Sequence, residues 1–173
     1  MQWADRLRLR GVLNFLVEIP LAAFGDEAAG VHGAAPALAD DAGLCVDAFG
    51  GLPGVDTAFY ATQFGHPKGD DHNVTVLLEQ MQGITNRRAA MVSTLVAVRS
   101  PKDPEPLIAI GRVVVEITQA RAGLNGFGFD PVMCLPALGQ TFAQLPADVK
   151  NANSHRGAAA KTMLTLMRER WLA

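Results

Sequence analysis

A chain of 173 residues, 49% of them hydrophobic, is long enough for one buried core and too short for two ordinary domains, so residues 1–173 are expected to form a single domain. Fifteen Lys and Arg against seventeen Asp and Glu leave a net charge of -2, which excludes the basic footprint of a nucleic-acid partner but leaves room for a small anion held by a few placed cations. No run approaches the roughly 18–20 apolar residues needed to cross a bilayer, so no membrane partner is expected.

Arg6, Arg8 and Arg10 precede an apolar stretch from Val12 to Phe24, which imitates the charge order of an export signal. Glu18 and Pro20 interrupt it and no small-x-small cleavage site follows, so a cytoplasmic protein is expected. Cys45 and Cys134 lack the close pairing of a zinc or redox motif and are read as two buried thiols. The alternation Arg6-Leu-Arg8-Leu-Arg10 reads as a half-exposed strand.

Pro36 favours an extended approach to a short buried strand, Ala37-Leu-Ala39, expected to end at the acidic pair Asp40-Asp41. Leu44-Cys-Val46 with Ala48-Phe49 reads as another strand, closed by the turn-forming Gly50-Gly51-Leu-Pro53-Gly54. Val74, Leu77, Leu78 and Met81 recur at helical spacing over Asn73 to Gln82, before Gly83. Ala89 to Val98 and Leu107 to Thr118 read as an antiparallel hairpin across Pro101-Lys-Asp-Pro104. After the flexible Gly123–Gly128 loop, a short strand is expected over Pro131 to Leu135. A closing helix should run from Ser154 toward Trp171 with Ala160, Met163, Leu164 and Met167 on one face. The mixture indicates an α/β or α+β domain on a mixed sheet.

Three constellations could carry chemistry. Asp40 and Asp41 adjoin on a strand, so their side chains point to opposite faces; one carboxylate can then ligate Mg²⁺ or take a proton from water while the other anchors a turn, and an Asp-rich turn capping its own amides is the structural alternative. In Gly126-Phe-Gly-Phe-Asp130-Pro131, glycines let the backbone approach a planar ligand on which Phe127 or Phe129 stacks, although a glycine loop with aromatic plugs also closes a core. In Lys150-Asn-Ala-Asn-Ser154-His155-Arg156-Gly157, Ser154 is a candidate N-cap, and the helix start, Lys150, His155 and Arg156 offer donors to a purine carbonyl or a phosphate; a cap with incidental surface charge is the alternative.

Taken in order, ALADDAGL, GGLPGV, GFGFDP and a lysine followed by SHRG resemble the motif series of the inosine/xanthosine triphosphate pyrophosphatases (the Ham1-like family), whose usual forms are ADDSGL, GGxPGV, GFGYDP and SHRG. The four motifs run across residues 36–161, so residues 37–173 are taken as a pyrophosphatase-like region and residues 1–36 as a divergent N-terminal segment. It implies an elongated α/β domain with a mixed sheet, usually a homodimer, that hydrolyses ITP, dITP and XTP to the monophosphate and pyrophosphate with Mg²⁺. It makes Asp41 the general base and metal ligand with Asp40 beside it as a second catalytic residue, puts Ala42, Phe127, Gly128, Phe129 and Asp130 around the nucleotide, and sets Lys150, His155 and Arg156 on the purine. The chemistry is coherent, because a 6-oxo purine needs donors where adenine presents its own amino group.

The family normally opens with an N-x-G-K type loop and a Glu- and Lys-bearing helix that hold the triphosphate and metal, and residues 1–36 show no such loop. No Lys or Arg occurs between Arg10 and Lys68, so this stretch offers no clamp for a triphosphate of about four negative charges. The Arg6, Arg8, Arg10 cluster, a metal held through Glu18 or Glu27, or a partner subunit could substitute. Ala42 stands where the family has serine, and Phe59 where it has arginine in S-A-R-Y. The resemblance therefore implies a pyrophosphatase or, alternatively, a catalytically impaired member that binds purine nucleotides or acts as an interaction module.

Overall fold

A computed structural model describes residues 16–18 and 36–172. Its centre is a sheet with strand order β1-β2-β4-β5-β6-β7, joined by β3 on β2. The strands are β1 (Leu16–Glu18), β2 (Ala37–Val46), β3 (Pro53–Gly54), β4 (Arg88–Val98), β5 (Leu107–Ile117), β6 (Met133–Leu135) and β7 (Gln140–Thr141); the helices are α1 (Asp70–Gln80), α2 (Ala147–Asn153) and α3 (His155–Arg170). The expected α/β architecture is present. All pairings among the described residues are antiparallel, so the parallel pair that a mixed sheet requires is not found there. The basic strand expected at Arg6–Arg10 lies outside the described residues.

The hairpin forms as its alternation predicts. β4 and β5 pair from Arg88↔Glu116 to Ala97↔Leu107, and Arg99 closes the connection by donating its backbone N–H and guanidinium to Asp103. On β5, Leu107, Ala109, Val115 and Ile117 are buried while Ile108, Ile110, Arg112 and Glu116 face outward, the period of two that a one-sided sheet imposes. Two clusters cover the inner face. Leu44, Val46, Ala89, Met91, Val115 and Ile117 pack with Val74 and Leu77 of α1 and with Tyr60 and Ala61 from the 3₁₀ segment Thr57–Phe64. Leu95, Ala97, Leu107 and Ala109 pack with Ala159, Met163 and Met167 of α3. Each buried aliphatic side chain contributes about 1.5–3 kcal/mol relative to exposure.

Five local expectations are corrected. Residues 37–46 form one strand, not two, because β2 finds a partner on β4 at all ten positions from Ala37↔Val98 to Val46↔Ala89; ladder pairing overrides the turn propensity of Asp40-Asp41. Ala48 and Phe49 leave the sheet in a 3₁₀ turn, as do Pro131 and Val132, so the strand after the glycine loop is only Met133–Leu135. The buried stripe of α3 is Ala159, Met163 and Met167, with Ala160 and Leu164 turned to solvent: one residue is a 100° rotation, and the sheet contact decides which stripe faces inward. Cys45 and Cys134 are free but only half-buried.

Between the two clusters the sheet carries a cross-strand row of small residues, Ala42↔Ser93↔Gly111. A Cβ on Gly111 would stand 2.0 Å from the backbone oxygen of His155 and 2.4 Å from the backbone nitrogen of Ala159, so only glycine lets the first turns of α3 lie this close to β5. Gly111→Ala is expected to lift the start of α3 and lower stability by about 1–3 kcal/mol, measured by urea unfolding; an unchanged midpoint would show that the contact is not needed.

Candidate active site

The acidic strand, the aromatic glycine loop and the basic helix start meet at a single open cleft of about 240 Å³ beside the small-residue row. Ala42, Phe127, Gly128, Phe129, Asp130, Lys150, His155 and Arg156 all line it. The two aspartates part company by strand alternation. Asp40 lies on the inner face with Ala42 and Leu44, and its carboxylate accepts from Ser93 Oγ at 2.8 Å and from Arg156 Nε at 2.6 Å. Asp41 points to the other face, does not line the cleft, and has no hydrogen-bond or ion-pair partner among the described residues. Asp40, expected from sequence as a second catalytic residue, therefore has both carboxylate oxygens engaged and does not itself line the cleft.

The outer edge of β2 is interrupted at this point. β1 pairs with Ala37–Ala39 and β3 with Leu44 and Cys45, and among the described residues no strand covers the edge from Asp40 to Gly43. Thr57 closes the far side of that opening: its Oγ1 accepts the N–H of Leu44 at 2.8 Å and donates to the carbonyl of Gly54. The GGLPGV turn that delivers Gly54 contains a cis Leu52–Pro53 bond.

The loop is held from two sides. Asp130, 5% exposed, accepts the Phe127 N–H at 2.8 Å and the ammonium of Lys150 on α2, while Asp70, at the start of α1, accepts the Gly128 N–H at 2.8 Å. Gly126 has φ 82° and no room for a Cβ, which would lie 1.9 Å from Asp130 Oδ2; a larger residue there would break the Asp130 contacts. Phe129 is buried in the core, whereas Phe127 is 61% exposed with Lys150 Nζ 4.7 Å and Arg156 Cζ 5.5 Å from its ring centre. Of the two aromatics, Phe127 is the one free to stack on a ligand.

Ser154 caps α3 as expected, accepting the Gly157 N–H at 2.9 Å, and the missing Cβ of Gly157 lets Asn151 at the end of α2 approach, which brings Lys150 and Arg156 to the same mouth. His155 follows the cap and is 7% exposed, and neither ring nitrogen has a partner among the described residues. Burial, reinforced by the nearby Arg156 and Lys150 cations against the opposing pull of Asp40, lowers its pKa from 6.5 to about 4, so the ring is neutral at physiological pH and offers one donor and one acceptor.

Asp70, Asn73, Thr57 and Ser93 were not singled out from sequence. Asn73 is buried and holds the 3₁₀ segment through Ala61 N and Ala58 O. Asp70 and Asn73 follow Gly69 at a helix start, a placement that marks capping residues in general but does not reveal which distant amides they reach. Phe59 lies outside the cleft, and Lys68 stacks on its ring at 4.3 Å.

The family model described as the Ham1 family matches residues 22–166. The chain belongs to this family. It is 74% identical over 144 residues to a dITP/XTP pyrophosphatase of Albidiferax ferrireducens, covering 83% of this chain and 72% of that relative, and 74% identical to one of Verminephrobacter eiseniae with the same coverage. Among solved structures, a HAM1 protein of Coxiella burnetii superposes with a TM-score of 0.71 at 36% identity over 78% of this chain and 68% of that one; the Staphylococcus aureus Ham1 protein gives 0.71 and 36% over 78% and 67%.

The His155 environment sets a pH dependence. Because the folded-state pKa is depressed, the unfolded chain takes up a proton that the folded chain refuses; this group's contribution to stability is complete above about pH 6.5 and is lost as the pH falls toward about 4. Urea midpoints measured from pH 7.5 to 4.5 should fall less steeply for His155→Gln than for the unsubstituted protein. Equal slopes would mean that the ring titrates freely.

Proposed function

We propose that this chain hydrolyses non-canonical purine nucleoside triphosphates of the ITP, dITP and XTP class to the monophosphate and pyrophosphate. The observation that carries the reading is the meeting of Phe127, Lys150, neutral His155 and Arg156 in one cleft beside the open edge of β2 at Asp41. The printed activity of relatives 74% identical, dITP/XTP pyrophosphatase, supports it.

In this reading the base stacks on Phe127, and Lys150 and Arg156 donate to the 6-oxo group that distinguishes hypoxanthine and xanthine from adenine. His155, with one N–H and one lone pair, adds a contact of either sense. Asp41 is the general base: Asp40 is occupied by Ser93 and Arg156, whereas the Asp41 carboxylate keeps its lone pairs for a water proton. The water adds to phosphorus as Asp41 takes its proton, the α–β anhydride bond breaks, and pyrophosphate leaves with the bonding pair.

The described residues do not by themselves build a Mg²⁺ site, since no three potential His, Cys, Asp or Glu ligands gather among them. Mg²⁺ belongs to the proposal as the ion that accompanies the triphosphate and offsets its charge, with Asp41 as the protein ligand carried over from the resemblance. Arg6, Arg8, Arg10 and Glu27 lie outside the described residues, and Glu18 lies on β1 opposite Ala37. A homodimer and a cytoplasmic location complete the reading; no helix among the described residues is long and apolar enough to cross a membrane.

One observation favours the second reading, a nucleotide-binding member without turnover. Both cleft cations are already matched, Lys150 by Asp130 and Arg156 by Asp40, and Asp70 adds a further carboxylate, so the described cleft has no surplus positive charge for a triphosphate.

Purified protein with Mg²⁺ is expected to release pyrophosphate from ITP or XTP, and Asp41→Asn to lower kcat by roughly 100-fold or more. No turnover at high protein concentration, with IMP and ITP bound equally well in calorimetry, would replace the hydrolase by the binding module.

A further inference from the structure

Ser93 sits at the middle of β4 with 0% exposure, in the small-residue row between Ala42 and Gly111. Packing alone does not call for a hydroxyl there, because its neighbours across both strands are an alanine and a glycine. The hydroxyl is used: Oγ donates to one oxygen of Asp40, and the other oxygen of the same carboxylate accepts from Arg156 Nε. A carboxylate held at one oxygen only can turn about its Cβ–Cγ bond, while one held at both cannot. Arg156 is gripped by its inward nitrogen, so its two terminal amino groups are left to the cleft, over the exposed Phe127 ring.

We propose that Ser93 is a positioning residue for base recognition: through Asp40 it sets the orientation of the Arg156 guanidinium against Phe127. The proposal rests on the reading of the cleft as a purine-nucleotide site, and it extends that site by a buried residue that never touches the ligand. Ser93 acts on the strength and selectivity of binding and leaves the water-activating carboxylate, Asp41 on the opposite face, undisturbed. The effect therefore belongs in KM, not in kcat.

The test is a double-mutant cycle between Ser93→Ala and Arg156→Ala, read as kcat/KM for ITP and, separately, as IMP affinity by calorimetry. Ser93→Ala is expected to lower kcat/KM roughly tenfold, almost wholly through KM, and to have no further effect once Arg156 is absent. Ser93→Cys, of similar volume and with a weaker donor, is expected to fall between serine and alanine, and it serves as the test variant if Ser93→Ala does not fold. An equal loss from Ser93→Ala with and without Arg156, a loss confined to kcat, or no loss at all would overturn the proposal. Unsubstituted protein that binds IMP but does not hydrolyse ITP would overturn the hydrolase reading while the affinity cycle still decides the role of Ser93; protein that binds neither nucleotide would overturn both.

Discussion

The candidate site depends on how closely the start of α3 can approach the sheet. Gly111 presents no side chain, so the carbonyl of His155 and the amide of Ala159 settle directly over β5. From that seat Ser154 caps the helix, His155 is buried, and Arg156 comes within hydrogen-bonding distance of Asp40 on β2, 116 residues away in sequence. A larger residue in the row would move all three together, because a helix translates as a rigid body and interiors are close-packed.

The charged groups around the cleft are arranged as two tethered pairs. Asp130 ties Lys150 to the backbone of the aromatic loop, and Asp40 ties Arg156 to the central strands through Ser93. Each carboxylate has a second hydrogen bond besides its ion pair, which is the condition under which a partly buried ion pair holds a defined geometry and does not merely cost desolvation. Phe127, exposed between the two cations, is consequently framed by groups that cannot drift far. The same pairing explains the charge economy of the cleft: each of its cations is matched by a carboxylate, and the two pairs leave little net field for a polyphosphate.

The elements with strong periodicity were legible in sequence. β4, β5 and α3 follow their apolar spacing, and three of the four motifs marked the segments that converge. The errors have physical sources. The turn propensity of Asp40-Asp41 lost to a ten-residue ladder with β4, and on α3 the expected Met163 and Met167 are buried while Ala159 takes the place of Ala160 and Leu164 faces out, because Ala159 and Ala160 look alike until the sheet chooses between them. Ser93 reads as one polar residue in an apolar strand, and Asp70 as one acidic residue at a helix start; neither carries a local mark of the distant group it binds.

Sequence by itself determined family membership, the long elements β4, β5, α1 and α3, and the motif residues Phe127, Lys150, His155 and Arg156 of the cleft, since these rest on local order and spacing along the chain. Only the tertiary structure decided that Asp40 is the aspartate engaged by Ser93 and Arg156, that Phe127 and not Phe129 is open to a ligand, and that His155 is neutral. Those distinctions depend on which face of a strand is covered, which ring is enclosed and how far water is excluded. All three are properties of contacts between segments distant in the chain.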